Sequence, residues 1–261
     1  MSCTVVLRDK AEIERHLRHN IYLHLFEIGD LDDFFWPSTT WYALKDDNQV
    51  RELALLYRGS ALPVLLAFGE TPQSMRLLLQ SLIPQLPKYV YAHLFQEAAE
   101  VLANAFDQQS HGIFWKMALT RPDHLEKVDV SEVVRLSPSD QRELERLFKE
   151  SYPGNWFDPR LLETGCYYGF RMEGRLVSTA GVHVYSPSYK VAALGNVATH
   201  PAWRGRGLAT RVCARLCMEL MAVVQHIGLN VSINNSRAIA CYQHIGFEQV
   251  ATYEECMLIG K

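Results

Sequence analysis

The sequence predicts an α/β chain in which a mixed, twisted sheet carries helices on both of its faces. Short apolar runs typical of strands alternate with apolar stripes of helical period over the 261 residues. A loop containing proline and glycine, residues 200–207, joins one of these strands to a helix. The order of elements in residues 1–120 also parallels the order in residues 131–261. Together these observations predict a tandem arrangement of two related domains.

Residues 1–120 are predicted to form the first domain. Ile13, Leu17 and Ile21 recur at helical spacing, and the apolar positions of residues 75–83 predict another helix. The remaining predicted elements are strands at 41–44, 53–57 and 62–68, a strand at 89–94, a helix at 96–106 and a strand at 113–119. Residues 121–130, which contain Pro122 and several charged side chains, are the predicted linker.

Residues 131–261 are predicted to form the second domain. It begins with a strand at 133–136, and Ser137-Pro138-Ser139-Asp140 then opens a helix. The later predicted elements are an aromatic-rich loop at 152–159, a short helix at 160–164, strands at 166–172, 176–185 and 191–199, a helix from 208, a strand from 229, and a helix that Gly246 ends. Glu173-Gly174 is a two-residue hairpin signal between the first two of these strands.

The loop before residue 208 has the features of an anion-binding turn. Gly205 and Gly207 allow backbone conformations in which consecutive N–H groups converge on one point. The helix that follows adds its unpaired N–H groups and the positive end of its dipole. Arg204 and Arg206 supply positive charge. Taken alone, such a loop is equally consistent with an ordinary exposed turn.

A second block of residues gives the loop its context. Asn235 or Ser236 is predicted to cap a short helix, Ala238 and Tyr242 lie within it, and Gly246-Phe247 lead into the next strand. The arginine-x-x-glycine-x-glycine/alanine pattern of residues 204–209, followed by this asparagine-x-x-alanine block, resembles the GNAT superfamily of N-acetyltransferases. The likeness covers about the last 130 residues. The predicted arrangement of two halves is similar to the glycine N-acyltransferase branch of that superfamily.

The resemblance implies a GNAT-like second domain that uses acetyl-CoA and transfers an acyl group directly to an amine. It implies that residues 197–199 diverge from the neighbouring strand and bind the pantetheine arm. It also implies that Tyr242 protonates the departing thiolate, although Tyr242 is also consistent with a core aromatic residue. The implied cofactor-binding residues are Val197, Ala198, Thr199, Arg204, Gly205, Arg206, Gly207, Leu208, Ala209 and Asn235.

The general base and the acceptor site are left open by the sequence. The strand before the loop has no carboxylate, so His183 on the preceding strand is the candidate base, with a hydrogen-bonded structural histidine as the alternative. The candidate acceptor-binding residues are Trp156, Phe157, Tyr185 and Asn196. The aromatic residues among them are also consistent with residues that cover a core.

The first domain lacks the signals of the second. At the corresponding turn the chain reads Gly69-Glu70-Thr71-Pro72, with one glycine, no arginine and an acidic residue that would repel phosphate. We therefore predict a degenerate GNAT-like domain without a cofactor loop. An unrelated α/β domain is the alternative.

Composition limits the remaining possibilities. A net charge of −3 gives no basic excess for nucleic acid, and we expect neither a membrane span nor a signal peptide. The cytoplasm is thus the expected compartment. The six cysteines form no C-x-x-C pair and are predicted to be buried thiols, and the histidines show no metal-ligand spacing. The sequence does not indicate an oligomeric state.

The function that this sequence predicts is N-acyl transfer from acetyl-CoA, or another acyl-CoA, to a primary amine of a small molecule or amino acid. Two alternatives remain. One is an N-acetyltransferase that acts on proteins or peptides, for which an open, acidic acceptor groove is expected. The other is a non-catalytic acyl-CoA sensor that uses the same fold to regulate a partner.

Overall fold

A computed structural model describes residues 2–69 and 71–261 of the chain. The chain forms two compact units, of which unit 1 comprises Met1–Lys116 with Ala251–Lys261 and unit 2 comprises Met117–Val250. The break after Lys116 lies close to the predicted boundary at residue 120. The predicted second domain, residues 131–261, differs from unit 2 at its end, because residues 251–261 lie in unit 1.

Unit 1 is built from a sheet with strand order β1-β2-β3-β4-β5-β12. Its elements are β1 (Cys3–Leu7), α1 (Lys10–Leu17), α2 (Leu25–Gly29), β2 (Thr39–Asp46), β3 (Gln49–Tyr57), β4 (Val64–Ala67), α3 (Pro72–Leu82), β5 (Tyr89–Leu94), β6 (Phe106–Leu119, which continues into unit 2) and the later part of β12 (Phe247–Gly260). Helix α3 buries Met75, Leu78, Leu79 and Leu82 on one face, which the apolar spacing of residues 75–83 predicts.

Two predicted elements of unit 1 differ from the structure. The predicted helix at 96–106 is a short 3-10 helix, Gln96–Leu102. Strand β6 begins at Phe106, well before the predicted start at residue 113. The side chains of residues 107–111 are all polar and all exposed, so this part of the strand has no alternation of apolar and polar residues to reveal it.

Unit 2 is built from a sheet with strand order β11-β10-β9-β8-β7. Its elements are β7 (Val133–Arg135), α4 (Gln141–Ser151), β8 (Tyr168–Met172), β9 (Arg175–Ser186), β10 (Val191–Thr199), α5 (Leu208–Met221), β11 (His226–Ser232), α6 (Ser236–His244) and the start of β12. The predicted hairpin turn is confirmed, since Glu173 and Gly174 have φ angles of 52° and 75°. Within the described residues, every helix is too short or too polar to cross a membrane.

The predicted linker is part of the folded structure of unit 2. Residues 121–130 include a 3-10 helix, Pro122–Lys127, in which Leu125 is buried. Arg211 of α5 also bonds to this segment, with one guanidinium nitrogen 2.8 Å from the Asp129 carboxylate. The proline and the charges predict a break in regular structure, but they do not show that Leu125 has a core to pack into.

The end of the chain completes the sheet of unit 1. Strand β12 pairs antiparallel with β5, from Glu254 opposite Leu94 to Ile259 opposite Tyr89. Cys256 and Leu258 join the buried apolar cluster of this unit. The sequence predicts a strand after Gly246-Phe247, but a local signal does not specify which sheet that strand enters.

The two units share one order of strands and directions. In unit 1, β4 and β5 are parallel and the pairs β1–β2, β2–β3 and β3–β4 are antiparallel. In unit 2, β10 and β11 are parallel and the pairs β7–β8, β8–β9 and β9–β10 are antiparallel. In each unit the parallel pair is connected by a helix, α3 in one and α5 in the other. The element order that the sequence predicts for both halves is therefore present.

Unit 1 contains a buried lysine among aromatic rings and carboxylates. The Nζ atom of Lys116 lies 3.8 Å from the centroid of the Phe68 ring and 5.4 Å from that of Tyr253. Glu27 and Glu255 oppose the loss of its positive charge. Even so, burial lowers the pKa of Lys116 to about 8.

This shift predicts a pH-dependent stability. The pKa of Lys116 is about 8 in the folded chain and about 10.5 for a free side chain, so the unfolded state binds more protons between these values. The contribution of Lys116 to stability therefore rises with pH across this range. Relative to a Lys116→Met variant, the wild-type free energy of unfolding should increase by about 1 kcal/mol per pH unit above pH 8. Urea denaturation of both proteins from pH 7 to pH 10 measures this, and a constant difference would contradict the assignment.

Candidate active site

Strands β10 and β11 separate at one end of the sheet of unit 2. They pair in parallel from Val191 opposite His226 to Leu194 opposite Leu229. Beyond Leu194, β10 continues to Thr199 and β11 continues to Ser232 without further pairing between them. The divergence that the resemblance implies for residues 197–199 is therefore confirmed. Beyond this point, the backbone N–H and C=O groups of one strand no longer pair with those of the other.

A bulge in β10 accompanies this separation. The register against β9 shifts between Gly195, opposite Gly181, and Ala198, opposite Thr179. Within the bulge Asn196 has a φ angle of 54°, a left-handed conformation that asparagine tolerates better than most residues. Its side chain is buried, with 2% of the residue exposed. The bulge therefore directs a buried polar side chain at the level where the strands separate.

The loop after β10 has an open concave backbone. Gly205 and Gly207 have φ angles of 78° and 73°, and a Cβ atom at either position would meet no other atom within 4 Å. Gly207 is the N-cap residue of α5, and no side chain caps this end of the helix. The first N–H groups of α5 thus point into open space with the positive end of the helix dipole. This is the geometry that binds a phosphate or diphosphate.

The two arginines of the loop have different contacts. Arg204 donates to the backbone oxygens of Thr199, at 3.1 Å, and Ser151, at 3.0 Å. Its guanidinium therefore holds the loop against β10 and α4, and the direct diphosphate contact expected of Arg204 stays a prediction. Arg206 lies over the ring of Trp203, 4.6 Å from the centroid. Sequence spacing did not distinguish these roles, because both arginines flank Gly205.

Helix α6 places the candidate acid. Its N-cap is Asn235, as predicted, and the Asn235 side chain accepts a hydrogen bond from the Ala238 N–H at 3.2 Å. This oxygen is therefore used within the helix, and the cofactor contact implied for Asn235 stays a prediction. Tyr242 is buried, and burial raises the pKa of its hydroxyl well above its ordinary value. The Tyr242 hydroxyl consequently remains protonated at neutral pH, as an acid must.

Asn230 is a site residue that the sequence analysis missed. It directly follows Leu229, the last residue of β11 that pairs with β10. Its side-chain oxygen is buried, and the described residues provide it with no hydrogen-bond partner. A buried acceptor without a partner carries an energetic cost unless a ligand or water satisfies it. This buried acceptor is therefore a candidate ligand contact close to the point where the two strands separate.

Several candidate acceptor residues converge on the bulge. Asn155 donates to the Asn196 side-chain oxygen at 2.7 Å, and Asn196 donates to the Tyr167 hydroxyl at 2.7 Å. The rings of Trp156 and His183 meet edge to face, 5.6 Å apart. Candidates Trp156, His183 and Asn196 therefore lie on one side of the separated strands, joined by Tyr167 and Asn155, which the sequence analysis did not select.

Two other candidates occupy different environments. Phe157 packs inward against Phe148 and Tyr167, at ring distances of 5.2 and 5.9 Å, so it supports the core beneath the site. Tyr185 lies opposite Ala192 in β10, away from the bulge, and forms a side-chain hydrogen bond with Cys166. The structure thus separates Tyr185 from the other candidate acceptor residues.

Two glycines lie directly beneath the rings at this site. Gly181 and Gly195 are opposite each other in β9 and β10. A Cβ at Gly181 would lie 2.1 Å from the Tyr167 ring, and a Cβ at Gly195 would lie 2.2 Å from the His183 ring. Both rings therefore require glycine at these positions. Glycines inside two predicted strands are the available sequence signal for this site.

The corresponding end of unit 1 is closed. Parallel pairing of β4 and β5 extends through Ala67 opposite Leu94, and the Phe95 N–H then donates to the Ala67 oxygen at 2.9 Å. These strands do not separate as β10 and β11 do.

A carboxylate of the protein lies at the start of α3. The carboxylate of Glu52, a residue only 2% exposed, accepts from the N–H and the hydroxyl of Thr71 at 3.3 and 3.2 Å. Thr71 is the N-cap residue of α3, so a protein carboxylate occupies the position that an anionic ligand would take. Glu70, the acidic residue that we expected to repel phosphate, lies outside the described residues.

Comparison with known proteins agrees with this geometry. Residues 132–247 match the sequence profile of the Acetyltransferase (GNAT) family. This segment therefore resembles GNAT acetyltransferase domains. It contains the separated strands, the glycine loop of α5 and all of α6.

A curated relative also matches part of this chain. An uncharacterized protein of Mycobacterium leprae is 32% identical over 126 residues, which cover 44% of this chain and 34% of that protein. The chain thus matches about a third of the length of that curated relative.

Two solved structures resemble the fold of the whole chain. A GCN5-related N-acetyltransferase from Sphaerobacter thermophilus is 14% identical with a TM-score of 0.60, and the match covers 100% of this chain and 96% of that one. A tandem GNAT protein from the clavulanic acid biosynthesis pathway is 14% identical with a TM-score of 0.57, and the match covers 98% of both chains. At these low sequence identities, the structural similarity shows the fold alone.

Proposed function

We propose that this protein is an acyl-CoA-dependent N-acyltransferase whose active site lies in unit 2. The observation that supports this most strongly is the open glycine loop at the start of α5, beside strands that separate after Leu194. In this proposal the loop binds the diphosphate of coenzyme A, and the space between the strands binds its extended pantetheine arm. Acetyl-CoA, or another acyl-CoA, is the proposed donor.

The residues divide the binding of this donor between them. The backbone N–H groups of Gly205, Gly207, Leu208 and Ala209 bind the diphosphate, assisted by Arg206, while Arg204 fixes the loop. Backbone groups of Val197, Ala198 and Thr199, and the buried oxygen of Asn230, are available to the pantetheine arm. The thioester supplies an activated acyl group, and an N–H of β10 polarises its carbonyl.

Tyr242 and His183 are the proposed proton-transfer residues. The buried Tyr242 hydroxyl, with its raised pKa, donates a proton to the thiolate as the thiol departs. An ammonium acceptor must first lose a proton, and His183 is the candidate base because its ring lies over Gly195 beside the bulge. Transfer is direct, so these groups act on donor and acceptor held in one orientation.

The proposed acceptor is a primary amine of a small molecule or amino acid. A cavity of about 440 Å³ lies between α4 and residues 152–159, within the size range of small-molecule sites. Its lining includes Asn155, which bonds to Asn196 at the bulge, and the aromatic residues Phe148 and Tyr152. Trp156 contacts His183 on the other side of Asn155. The aromatic residues of this lining support a small acceptor.

Unit 1 is proposed to be a degenerate GNAT-like unit that binds no acyl-CoA. Its strand order and directions match those of unit 2, but β4 and β5 stay paired and Glu52 occupies the start of α3. Both features remove the space and the charge complementarity that a diphosphate requires. Its proposed role is structural.

A thiol-release assay tests the proposed activity. Acetyl-CoA, propionyl-CoA and longer acyl-CoA donors are incubated with panels of amines, amino acids and peptides, and free CoA is measured. We expect release above hydrolysis with at least one small primary amine. Release with peptides alone would favour the protein-acetyltransferase alternative. Tight acetyl-CoA binding without release from any panel would favour the sensor alternative.

A further inference from the structure

A directional chain of hydrogen bonds connects the loop after α4 to β9. The side-chain amide of Asn155 donates to Asn196, whose own amide donates to the Tyr167 hydroxyl, at 2.7 Å in each case. The Tyr167 hydroxyl in turn donates to the backbone oxygen of Val182 at 3.1 Å. Every link has one donor and one acceptor, so removal of a member leaves buried polar groups without a partner.

The inner end of this chain is rigid. Tyr167 has no exposed surface, and its ring lies where a side chain at Gly181 would otherwise be. Asn196 is 2% exposed and has the left-handed backbone of the bulge. The side chain of Asn196 is thus fixed by Tyr167 beside the opening between β10 and β11.

The outer end lies in a turn that is exposed around Asn155 and is anchored at Phe157, which packs against Phe148 and Tyr167. Tyr152 and Trp156 are 50% and 41% exposed, and a Cβ at Gly154 would meet no atom within 4 Å. The Asn155 N–H bonds only locally, to the Tyr152 oxygen at 3.1 Å. The link from Asn155 to Asn196 therefore joins an exposed turn to a rigid part of the site.

We propose that Asn155 is a positioning residue that couples the turn at residues 152–157 to occupancy of the cleft between β10 and β11. Acetyl-CoA bound along β10 restrains the bulge at Asn196, and Asn155 transmits that restraint to the turn. Trp156 then has a fixed place against His183 on the acceptor side. Acyl-donor binding thereby prepares the wall against which the acceptor amine binds. This inference rests on the proposed function of unit 2.

Hydrogen exchange measured with and without acetyl-CoA tests the coupling. In the wild-type protein, acetyl-CoA should slow exchange of the amides of residues 154–157 by at least about fivefold. An Asn155→Ala variant should still bind acetyl-CoA, because the hydrogen bonds of Asn155 go to Asn196 and Tyr152 rather than to the glycine loop or α6, yet its turn should show no such slowing. An Arg142→Ala variant is the control and should show the wild-type slowing, since Arg142 is an exposed residue of α4 outside the cavity lining and outside the chain of hydrogen bonds.

The kinetic readout distinguishes positioning from general loss of structure. With the best amine from the acceptor panel, Asn155→Ala should raise the KM for the amine by about tenfold while kcat changes less than about twofold. Equal slowing of exchange in Asn155→Ala and wild type would overturn the proposal, as would the absence of slowing in wild type. If acetyl-CoA fails to bind wild type at all, the proposed function fails instead, and calorimetry on the same samples separates the two outcomes.

Discussion

Replacing Gly207 with Glu is expected to abolish the stabilisation that acetyl-CoA gives to the protein. The new carboxylate would stand at the start of α5, in the open space where the diphosphate is proposed to bind. Two unit charges about 4 Å apart interact by about 4 kcal/mol near a protein surface, which corresponds to roughly a thousandfold loss of affinity. Wild type at about 100 times the Kd gains roughly 2.7 kcal/mol, so its Tm should rise by several degrees.

The control for this experiment is Gly207→Ala. Gly207 has a φ of 73°, so any L side chain here adds backbone strain of about 1 kcal/mol. Alanine introduces this strain without a charge and meets no neighbouring atom within 4 Å. Its Tm without ligand should fall slightly, and acetyl-CoA should still raise it. A ligand-induced shift in Gly207→Glu equal to that of wild type would place the donor elsewhere.

Tyr242→Phe is expected to lower kcat by roughly 100-fold or more while acetyl-CoA affinity stays nearly unchanged. Only the departing thiolate needs the hydroxyl proton, so loss of the hydroxyl affects the transition state rather than the bound donor. Burial raises the pKa of Tyr242 well above its ordinary value, so the wild-type rate should not fall from deprotonation of this group below about pH 10. A steady-state assay and calorimetry on both proteins measure the two effects.

An exposed tyrosine provides the matched control for Tyr242→Phe. Tyr89 is 53% exposed in unit 1, and Tyr89→Phe should leave kcat and Kd at their wild-type values. If Tyr242→Phe keeps kcat within about twofold when chemistry limits the rate, Tyr242 is a structural residue and the sensor alternative gains support.

Local patterns explain why much of unit 2 could be predicted. The glycine loop, the Asn235 cap and the Glu173-Gly174 turn each depend on residues close together in sequence, and the structure contains all three. Their conformations follow from backbone sterics and capping chemistry, which a single sequence reveals. The separation of β10 from β11 was implied by family resemblance rather than by these rules.

The missed features depend on long-range packing. The bond from Asn155 to Asn196 spans 41 positions and that from Asn196 to Tyr167 spans 29, so no local period indicates them. Arg204 bonds to Ser151, 53 positions away, so no local pattern shows that its guanidinium also holds the loop in place. Strand β12 was predicted as a strand, but its pairing with β5 depends on which sheet has an edge to complete.

Calorimetric titration of acetyl-CoA into the full chain tests directly whether the donor binds in unit 2. We expect one site per chain. Unit 2 has an open glycine loop and separated strands, whereas in unit 1 Glu52 occupies the start of α3 and strands β4 and β5 stay paired. Glu52→Gln should leave that stoichiometry and Kd unchanged, and Gly207→Glu should eliminate the binding heat. Two equivalent sites per chain, or one site that survives Gly207→Glu, would contradict the assignment of the active site to unit 2.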